Sequence, residues 1–163
     1  MITLQIKNKM FSIRGNSTVK DENGVDKFVV KGSLFSLRKK KRLYDMDGNL
    51  LYTVKNKLIR WFMNSCYVYD AEGNKVARIK QKFKLFKKEF TLTGYADEIE
   101  IKGDFIQHCL EIYKNGEKIG EAGKKFVSLV DSFRLDCYND ADAPLLVALI
   151  IAVDNINDKN LSD

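Results

Sequence analysis

The chain has 163 residues, of which 45% are apolar and 31% are charged. This length fits one domain with a sizeable core, and the composition is too apolar for a disordered segment. The net charge of +6 permits attraction to nucleic acid or to an anionic lipid surface but selects neither. One proline against ten glycines is typical of many strands joined by tight turns, because such turns need a positive φ more often than a fixed one.

The N-terminus and the cysteines both indicate a cytoplasmic protein. Residues 1–7 alternate polar and apolar side chains and lack the continuous apolar stretch of a signal peptide. The cysteines Cys66, Cys109 and Cys137 are far apart and form no Cys-x-x-Cys pair. Because their neighbours have strand-like patterns, we expect all three to be small buried side chains in a reducing compartment.

A repeated turn motif divides most of the chain into hairpins. Asp-Gly, Glu-Gly and Asn-Gly steps favour the left-handed backbone of a hairpin turn, and alternating apolar residues flank each of them. The copies lie at residues 21–25, 44–50, 69–75 and 113–118. A further turn is predicted around residues 94–97, where the motif is weakest.

A second recurring piece separates the hairpins. It is a basic residue or glycine followed closely by large apolar side chains. Six such connectors imply twelve strands, with a first strand near residues 2–7, five hairpins, and a last strand near residues 131–138. The strands alternate apolar and polar residues, which is typical of a sheet with one dry face. We therefore predict a mainly β protein with an antiparallel sheet closed into a barrel, since closure removes the edge strands.

The apolar run at residues 143–153 predicts a C-terminal helix. Asp142 before the run and Pro144 in its first turn are helix-start signals. Eleven consecutive apolar residues leave no polar face, so the helix must be enclosed on all sides. The run spans roughly 16 Å, about half a bilayer core, which disfavours a transmembrane anchor. A twelve-stranded barrel has a radius of about 12 Å, which leaves room for one axial helix.

These features together resemble the LURP-one-related family over residues 1–157. The resemblance rests on the hairpin repeats, on connectors such as Lys9-Met10-Phe11-Ser12-Ile13, and on the run at residues 142–154. That family is grouped with the tubby C-terminal domain and the phospholipid scramblases, whose fold is a twelve-stranded barrel around a hydrophobic helix. The resemblance implies one such domain over residues 1–157, followed by a short tail at residues 158–163.

The sequence contains no convincing catalytic arrangement. His108 is the only histidine, which excludes a multi-histidine metal site within one chain and makes a Ser-His-Asp triad depend on a single residue. It lies in a predicted strand, where we interpret it as structural. The glycines before Lys124 lack the Gly-x4-Gly-Lys-Ser/Thr spacing of a phosphate loop. We expect neither an enzyme nor a cofactor.

Three aspartates, Asp136, Asp140 and Asp142, precede the helix. Calcium binding is one interpretation, because carboxylate oxygens suit calcium and scramblases are described as having a calcium-binding segment in this region. The sequence here is shorter and lacks that pattern. Helix capping and interaction with the helix dipole explain the aspartates, so we expect no metal site.

Basic residues form the candidate binding site. One group is an unbroken run in a predicted connector, and a second alternates along one extended segment, so that its members would project from one face. Such clusters can hold phosphate oxygens, and the alternative is a solvated exterior. The candidate residues are Arg38, Lys39, Lys40, Lys41 and Arg42 in the run, and Arg78, Lys80, Lys82 and Lys84 in the alternating segment, with Lys55 and Lys57 nearby.

The resemblance orders the functional hypotheses. Tubby domains bind phosphoinositides, which makes an anionic phospholipid headgroup the leading ligand and a membrane surface the expected partner. The alternative is a protein-interaction or stress-related scaffold, because plant members are associated with defence responses. Nucleic-acid binding is disfavoured, since no helix-turn-helix, zinc finger or RNA-binding signature is present. We expect a cytoplasmic monomer, and lipid binding would make it a peripheral membrane protein.

Overall fold

The computed structural model describes residues 1–7, 16–32, 40–57, 65–84, 87–104, 109–125 and 132–157. Within these residues the chain forms twelve strands and one α-helix, α1 (Ala143–Asn157), which follows a 3-10 turn at Asp140–Asp142. The strands are β1 (Ile2–Lys7), β2 (Asn16–Asp21), β3 (Asp26–Gly32), β4 (Lys41–Tyr44), β5 (Leu50–Asn56), β6 (Ser65–Tyr69), β7 (Lys75–Lys84), β8 (Lys87–Gly94), β9 (Ile99–Asp104), β10 (Cys109–Lys114), β11 (Glu117–Lys125) and β12 (Ser132–Cys137).

All twelve strands belong to one antiparallel sheet in the order β8-β7-β6-β5-β4-β3-β2-β1-β12-β11-β10-β9. The first and last strands pair along their full length, with Ile2 opposite Cys137 and Lys7 opposite Ser132. Their pairing joins the two halves of the chain. The predicted fold, a mainly β barrel around a C-terminal helix, is confirmed.

The barrel is nearly closed, with a seam between β8 and β9. These two strands lie within 8 Å of each other, but no hydrogen-bonded ladder joins their described residues. The prediction that β8 and β9 pair as a hairpin around residues 94–97 is therefore wrong. The backbone there bonds to the flanking strands instead, because the Tyr95 amide donates to the Val76 carbonyl at 3.1 Å and the Glu98 carbonyl accepts from the Asn115 amide at 2.7 Å.

The other hairpin predictions are confirmed, and the structure explains their repeated motif. In the β4–β5 turn the two carboxylate oxygens of Asp45 accept hydrogen bonds from the backbone amide and the side chain of Asn49, at 2.7 and 2.8 Å. Asp70 and Asn74 repeat this geometry in the β6–β7 turn, at 2.7 and 3.0 Å. The glycine before each asparagine has a φ near +90°, which glycine adopts without strain (Gly48 +88°, Gly73 +92°).

Helix α1 is the core of the barrel. Residues 146–153 are each at most 1% exposed, and inward side chains such as Leu4, Val54, Val68 and Leu135 join them in one apolar cluster. Each fully buried aliphatic side chain contributes about 1.5–3 kcal/mol, so the helix is a major source of stability. The predicted enclosed helix is confirmed, and none of the described helices is long and apolar enough to cross a membrane.

One part of the cysteine prediction is wrong. Cys66 and Cys137 are buried, and burial raises the pKa of the Cys137 thiol to about 12. Cys109 is exposed because Leu110 and Ile112 occupy the inner side of β10, which turns Cys109 outward. All three are free thiols. His108 and residues 158–163 lie outside the described residues.

Candidate functional site

The basic run at residues 38–42 is divided by the start of strand β4. Arg38 and Lys39 lie outside the described residues, and Lys41 and Arg42 open the strand, so the prediction of a connector is wrong there. Side chains alternate along a strand. Lys41 consequently shares the inner side with Leu43 and is only 6% exposed, whereas Arg42 lies on the outer side. The run does not form one continuous basic surface.

The alternating segment lies on β7, and the structure describes the side chains of Arg78 and Lys80. Ala77 and Ile79 are fully buried on the inner side, so Arg78 and Lys80 project outward together. Lys82 and Lys84 continue the same strand, and their side chains lie outside the described part of the structure.

Cross-strand pairing assembles these residues into one surface on the outer side of β3 to β8. A first row runs Lys31, Arg42, Thr53, Tyr69 across β3–β6. A second row runs Lys55, Tyr67, Arg78, Thr93 across β5–β8. Ser65, Lys80 and Thr91 form a third. We call the surface formed by these three rows the basic face, and its charged members are Lys31, Arg42, Lys55, Arg78 and Lys80.

Tyrosine rings support the cations of the basic face. The ammonium nitrogen of Lys31 lies 4.6 Å from the centre of the Tyr44 ring, and that of Lys55 lies 4.6 Å from the Tyr69 ring. The Arg78 guanidinium lies 5.4 Å from the Tyr67 ring, directly across from it on β6. Such contacts attract a cation without neutralising it. Sequence reasoning missed the tyrosines, although they recur beside the hairpin turns.

The charged members of the basic face have no carboxylate partner within the described residues. Positive charges instead face one another. Burial, followed by repulsion from Arg42 and Lys55, lowers the pKa of the neighbouring Lys40 below its usual value. A surface of neighbouring cations, interleaved with hydroxyl groups, is suited to accept an anion.

The opposite side of the barrel carries cations in ion pairs. The Lys118 ammonium lies 2.7 Å from Glu111 and 2.9 Å from Glu121, and the Arg134 guanidinium lies 2.8 Å from Asp136. These contacts lower the pKa of the Glu111 carboxyl and raise that of Arg134. We call this surface, on β9 to β12, the paired face; it also contains the pair Lys102–Glu100 at 3.1 Å.

The aspartates before the helix bind cations of this chain. Asp136 contacts Arg134, Asp140 lies 3.3 Å from the amino group of Met1, and Asp142 lies 3.3 Å from Lys114. The 3-10 turn that precedes the helix is capped by Asn139, whose side chain accepts from the Ala141 amide at 3.1 Å. Among the described residues, no three His, Cys, Asp or Glu side chains converge to hold a metal ion.

The fold and the charge distribution define a twelve-stranded barrel protein with an enclosed helix and a one-sided basic surface. A family model described as LURP-one-related matches residues 2–154, and the chain belongs to that family. The predicted family resemblance is confirmed.

Relatives occur in bacteria and plants. The Bacillus subtilis protein YxjI is 28% identical over 165 residues, covering 99% of both chains. Protein LURP-one-related 10 of Arabidopsis thaliana is 26% identical, covering 99% of this chain and 93% of the relative. Protein LURP-one-related 15 of the same plant is 24% identical, with coverage of 96% and 80%.

A solved structure has the same fold. An X-ray structure of an Arabidopsis thaliana protein superposes with a TM-score of 0.63 at 21% identity, covering 96% of this chain and 91% of that one. The likeness extends over nearly the whole barrel and concerns the fold alone.

Proposed function

We propose that this chain is a non-catalytic binding module that holds anionic phospholipid headgroups on its basic face, at the cytoplasmic surface of a membrane. The observation that carries the proposal is the contrast in pairing. The cations of the basic face have no carboxylate partner among the described residues, whereas those of the paired face do. Unpaired, mutually repelling charges do not stabilise a fold, so their concentration on one face favours an external anion as their partner.

The chemistry of the basic face suits a headgroup layer. Each lysine or arginine near an anionic membrane contributes about 1 kcal/mol, so four or five of them give a useful affinity together. Tyrosine side chains are favoured at membrane interfaces because the ring is apolar and the hydroxyl is polar. Tyr44, Tyr67 and Tyr69 hold the cations in place, which reduces the entropy lost on binding.

The family supports the class of ligand. The LURP-one-related proteins are grouped with the tubby domains, which bind phosphoinositides, and with the phospholipid scramblases. This relationship supports a phospholipid as the class of ligand but identifies no particular contact residue. It supports a peripheral membrane protein without a cofactor.

A protein-interaction scaffold is the second candidate, and a different surface favours it. Exposed large apolar side chains of the described residues lie at the hairpin-turn end of the barrel, among them Val25 at 53%, Met46 at 53% and Tyr95 at 50%. Large exposed apolar groups concentrated in one region are typical of protein contacts. A partner protein would dock at this end and leave the basic face free.

Co-sedimentation with vesicles tests the proposal. The protein should bind vesicles that contain phosphatidylserine, phosphatidic acid or phosphoinositide and should not bind pure phosphatidylcholine. Binding should be lost at about 0.5 M salt, where charges are screened beyond about 4 Å. Failure to bind any anionic vesicle, or binding that survives that salt, contradicts the proposal.

The scaffold hypothesis has its own readout. It predicts a protein retained in a pull-down by the wild type and lost with Met46→Asp, while vesicle binding by that variant is unchanged.

A further inference from the structure

Two hydrogen-bond donors in the middle of the basic face are buried without an acceptor among the described residues. They are the Nε of Arg78 and the hydroxyl of Ser65. Ser65 is turned to the outer side of β6 because Cys66 is on the inner side, yet it is only 2% exposed. Buried donors are nearly always satisfied, because an unmade bond costs about 1–3 kcal/mol in general. These two are exceptions that call for a partner.

The two donors are neighbours in the sheet. Ser65 lies directly opposite Lys80, and Tyr67, two residues further along β6, lies opposite Arg78. Ser65 and Arg78 are therefore diagonal neighbours, with side chains about 7–8 Å apart at their bases. Two hydrogen bonds of about 2.8 Å, together with the width of a tetrahedral anion, span such a distance.

The groups around these donors are suited to an anion with several oxygens. The Lys80 ammonium adds a positive charge to the Ser65 row, and the Tyr67 ring at 5.4 Å orients the Arg78 guanidinium. Arginine presents a planar fork that pairs with two oxygens at once, whereas lysine acts as a point charge. A carboxylate has only two oxygens in one plane, and a phosphoryl group offers three to separate donors.

We propose that Ser65, Arg78 and Lys80 form a discrete subsite for a phosphoryl group with at least two free oxygens. This subsite rests on the proposed function of the basic face and specifies it further. The phosphoryl group comes from a lipid headgroup or from a free phosphate ion, which share this chemistry. The rest of the basic face supplies general attraction, and the subsite selects the group that is held.

Inorganic phosphate tests the subsite without a membrane. Calorimetry and thermal unfolding should show that phosphate binds the wild type and raises its melting temperature more than chloride does at equal ionic strength. Arg78→Lys retains the charge but loses the fork and should bind phosphate about tenfold more weakly. Arg134→Lys on the paired face is the matched control and should bind as the wild type does.

Ser65→Ala distinguishes a role of the hydroxyl in phosphate binding from a role in the stability of the fold. Removing an unsatisfied donor should leave the melting temperature without phosphate unchanged or slightly higher. Phosphate affinity should nevertheless fall roughly three- to tenfold, because a hydrogen bond to a charged group is lost. Affinities within twofold of the wild type for both Ser65→Ala and Arg78→Lys overturn the subsite.

Vesicles containing phosphatidic acid distinguish this proposal from the proposed function. Phosphate binding without vesicle binding supports a subsite for free phosphate and contradicts the lipid function. Vesicle binding by a protein that does not bind phosphate, with Arg78→Lys unchanged, overturns the subsite and leaves the lipid function standing. Loss of both activities in Arg78→Lys supports the subsite with a lipid source.

Discussion

The basic face and the paired face are built on one barrel and one core, yet they leave their cations in different states. Lys118 on the paired face lies within 3 Å of two carboxylates, at 2.7 and 2.9 Å. Lys55 on the basic face lies over the Tyr69 ring at 4.6 Å and has no carboxylate partner in the part of the chain that the structure describes. A carboxylate neutralises the charge that it contacts, whereas an aromatic ring only positions it. The two faces therefore differ in the state of their cations, a difference that the net charge does not express.

The substitution with the largest expected effect unfolds the barrel and therefore abolishes both faces. Leu149 is fully buried in α1, and Leu149→Asp places a carboxylate on the barrel axis, where an unpaired charge costs several kcal/mol of a total stability of about 5–15 kcal/mol. Circular dichroism should show loss of cooperative unfolding. Leu149→Met conserves the volume and should cost less than about 1.5 kcal/mol. A cooperatively folded Leu149→Asp protein would show that the helix is not the core.

The next largest effect concerns the basic face alone. Replacing Arg42, Lys55, Arg78 and Lys80 together by glutamine removes about 4 kcal/mol of attraction to an anionic membrane, which is roughly a thousandfold in affinity. The melting temperature should change by less than about 3 °C, because surface cations without a carboxylate partner contribute little to stability. Thermal unfolding and a vesicle titration of the same preparation measure both quantities. A large loss of stability would mean that these side chains are structural.

The paired face should respond in the opposite sense. Replacing Lys102, Lys114, Lys118 and Arg134 by glutamine leaves their carboxylate partners unpaired, including Asp142, which lies 3.3 Å from Lys114. We expect the melting temperature to fall by roughly 2–8 °C. The loss should shrink at high salt, since exposed pairs are screened. Equal melting temperatures for this variant and the wild type would show that the pairs contribute nothing.

The smallest effect concerns the β4–β5 and β6–β7 hairpin turns, which connect strands of the basic face. Hydrogen bonds from Asn49 and Asn74 are the main cause that lowers the pKa of the Asp45 and Asp70 carboxyls below the ordinary 3.8. A lowered folded-state pKa stabilises the fold above the unfolded value, and this contribution is lost as the pH falls through the folded one. The melting temperature should therefore decline below about pH 4. Replacing both asparagines by alanine should flatten that decline, and an unchanged acid profile would contradict the turn geometry.

Local signals in the sequence were sufficient to predict most of the fold. Strand alternation, the turn motif and the apolar run at residues 143–153 each act over a few neighbouring residues, and the structure confirms the elements that they predict. The seam was not predictable in this way. Whether the segment at residues 94–97 closes a paired hairpin depends on competition with the Val76 carbonyl and the Asn115 amide, which are distant in sequence.

The candidate site was predictable only in part, because it depends on register. Arg78 and Lys80 were placed correctly, since they alternate within one strand. The run at residues 38–42 gave no sign that Lys41 turns inward, because that follows from the position where β4 begins to pair with Gly32 and Val54. The alignment of Tyr67 between Lys55 and Arg78 likewise needs three strands in known register.

The most direct test of the account compares the two fourfold variants on the same phosphatidylserine vesicles at about 0.1 M salt. Each variant lowers the net charge from +6 to +2, so that only the location of the removed charges differs. We predict that the variant of the basic face loses binding by roughly a thousandfold, while the variant of the paired face binds within a few-fold of the wild type. Equal losses in the two variants would show that net charge alone drives binding and would contradict a dedicated basic face.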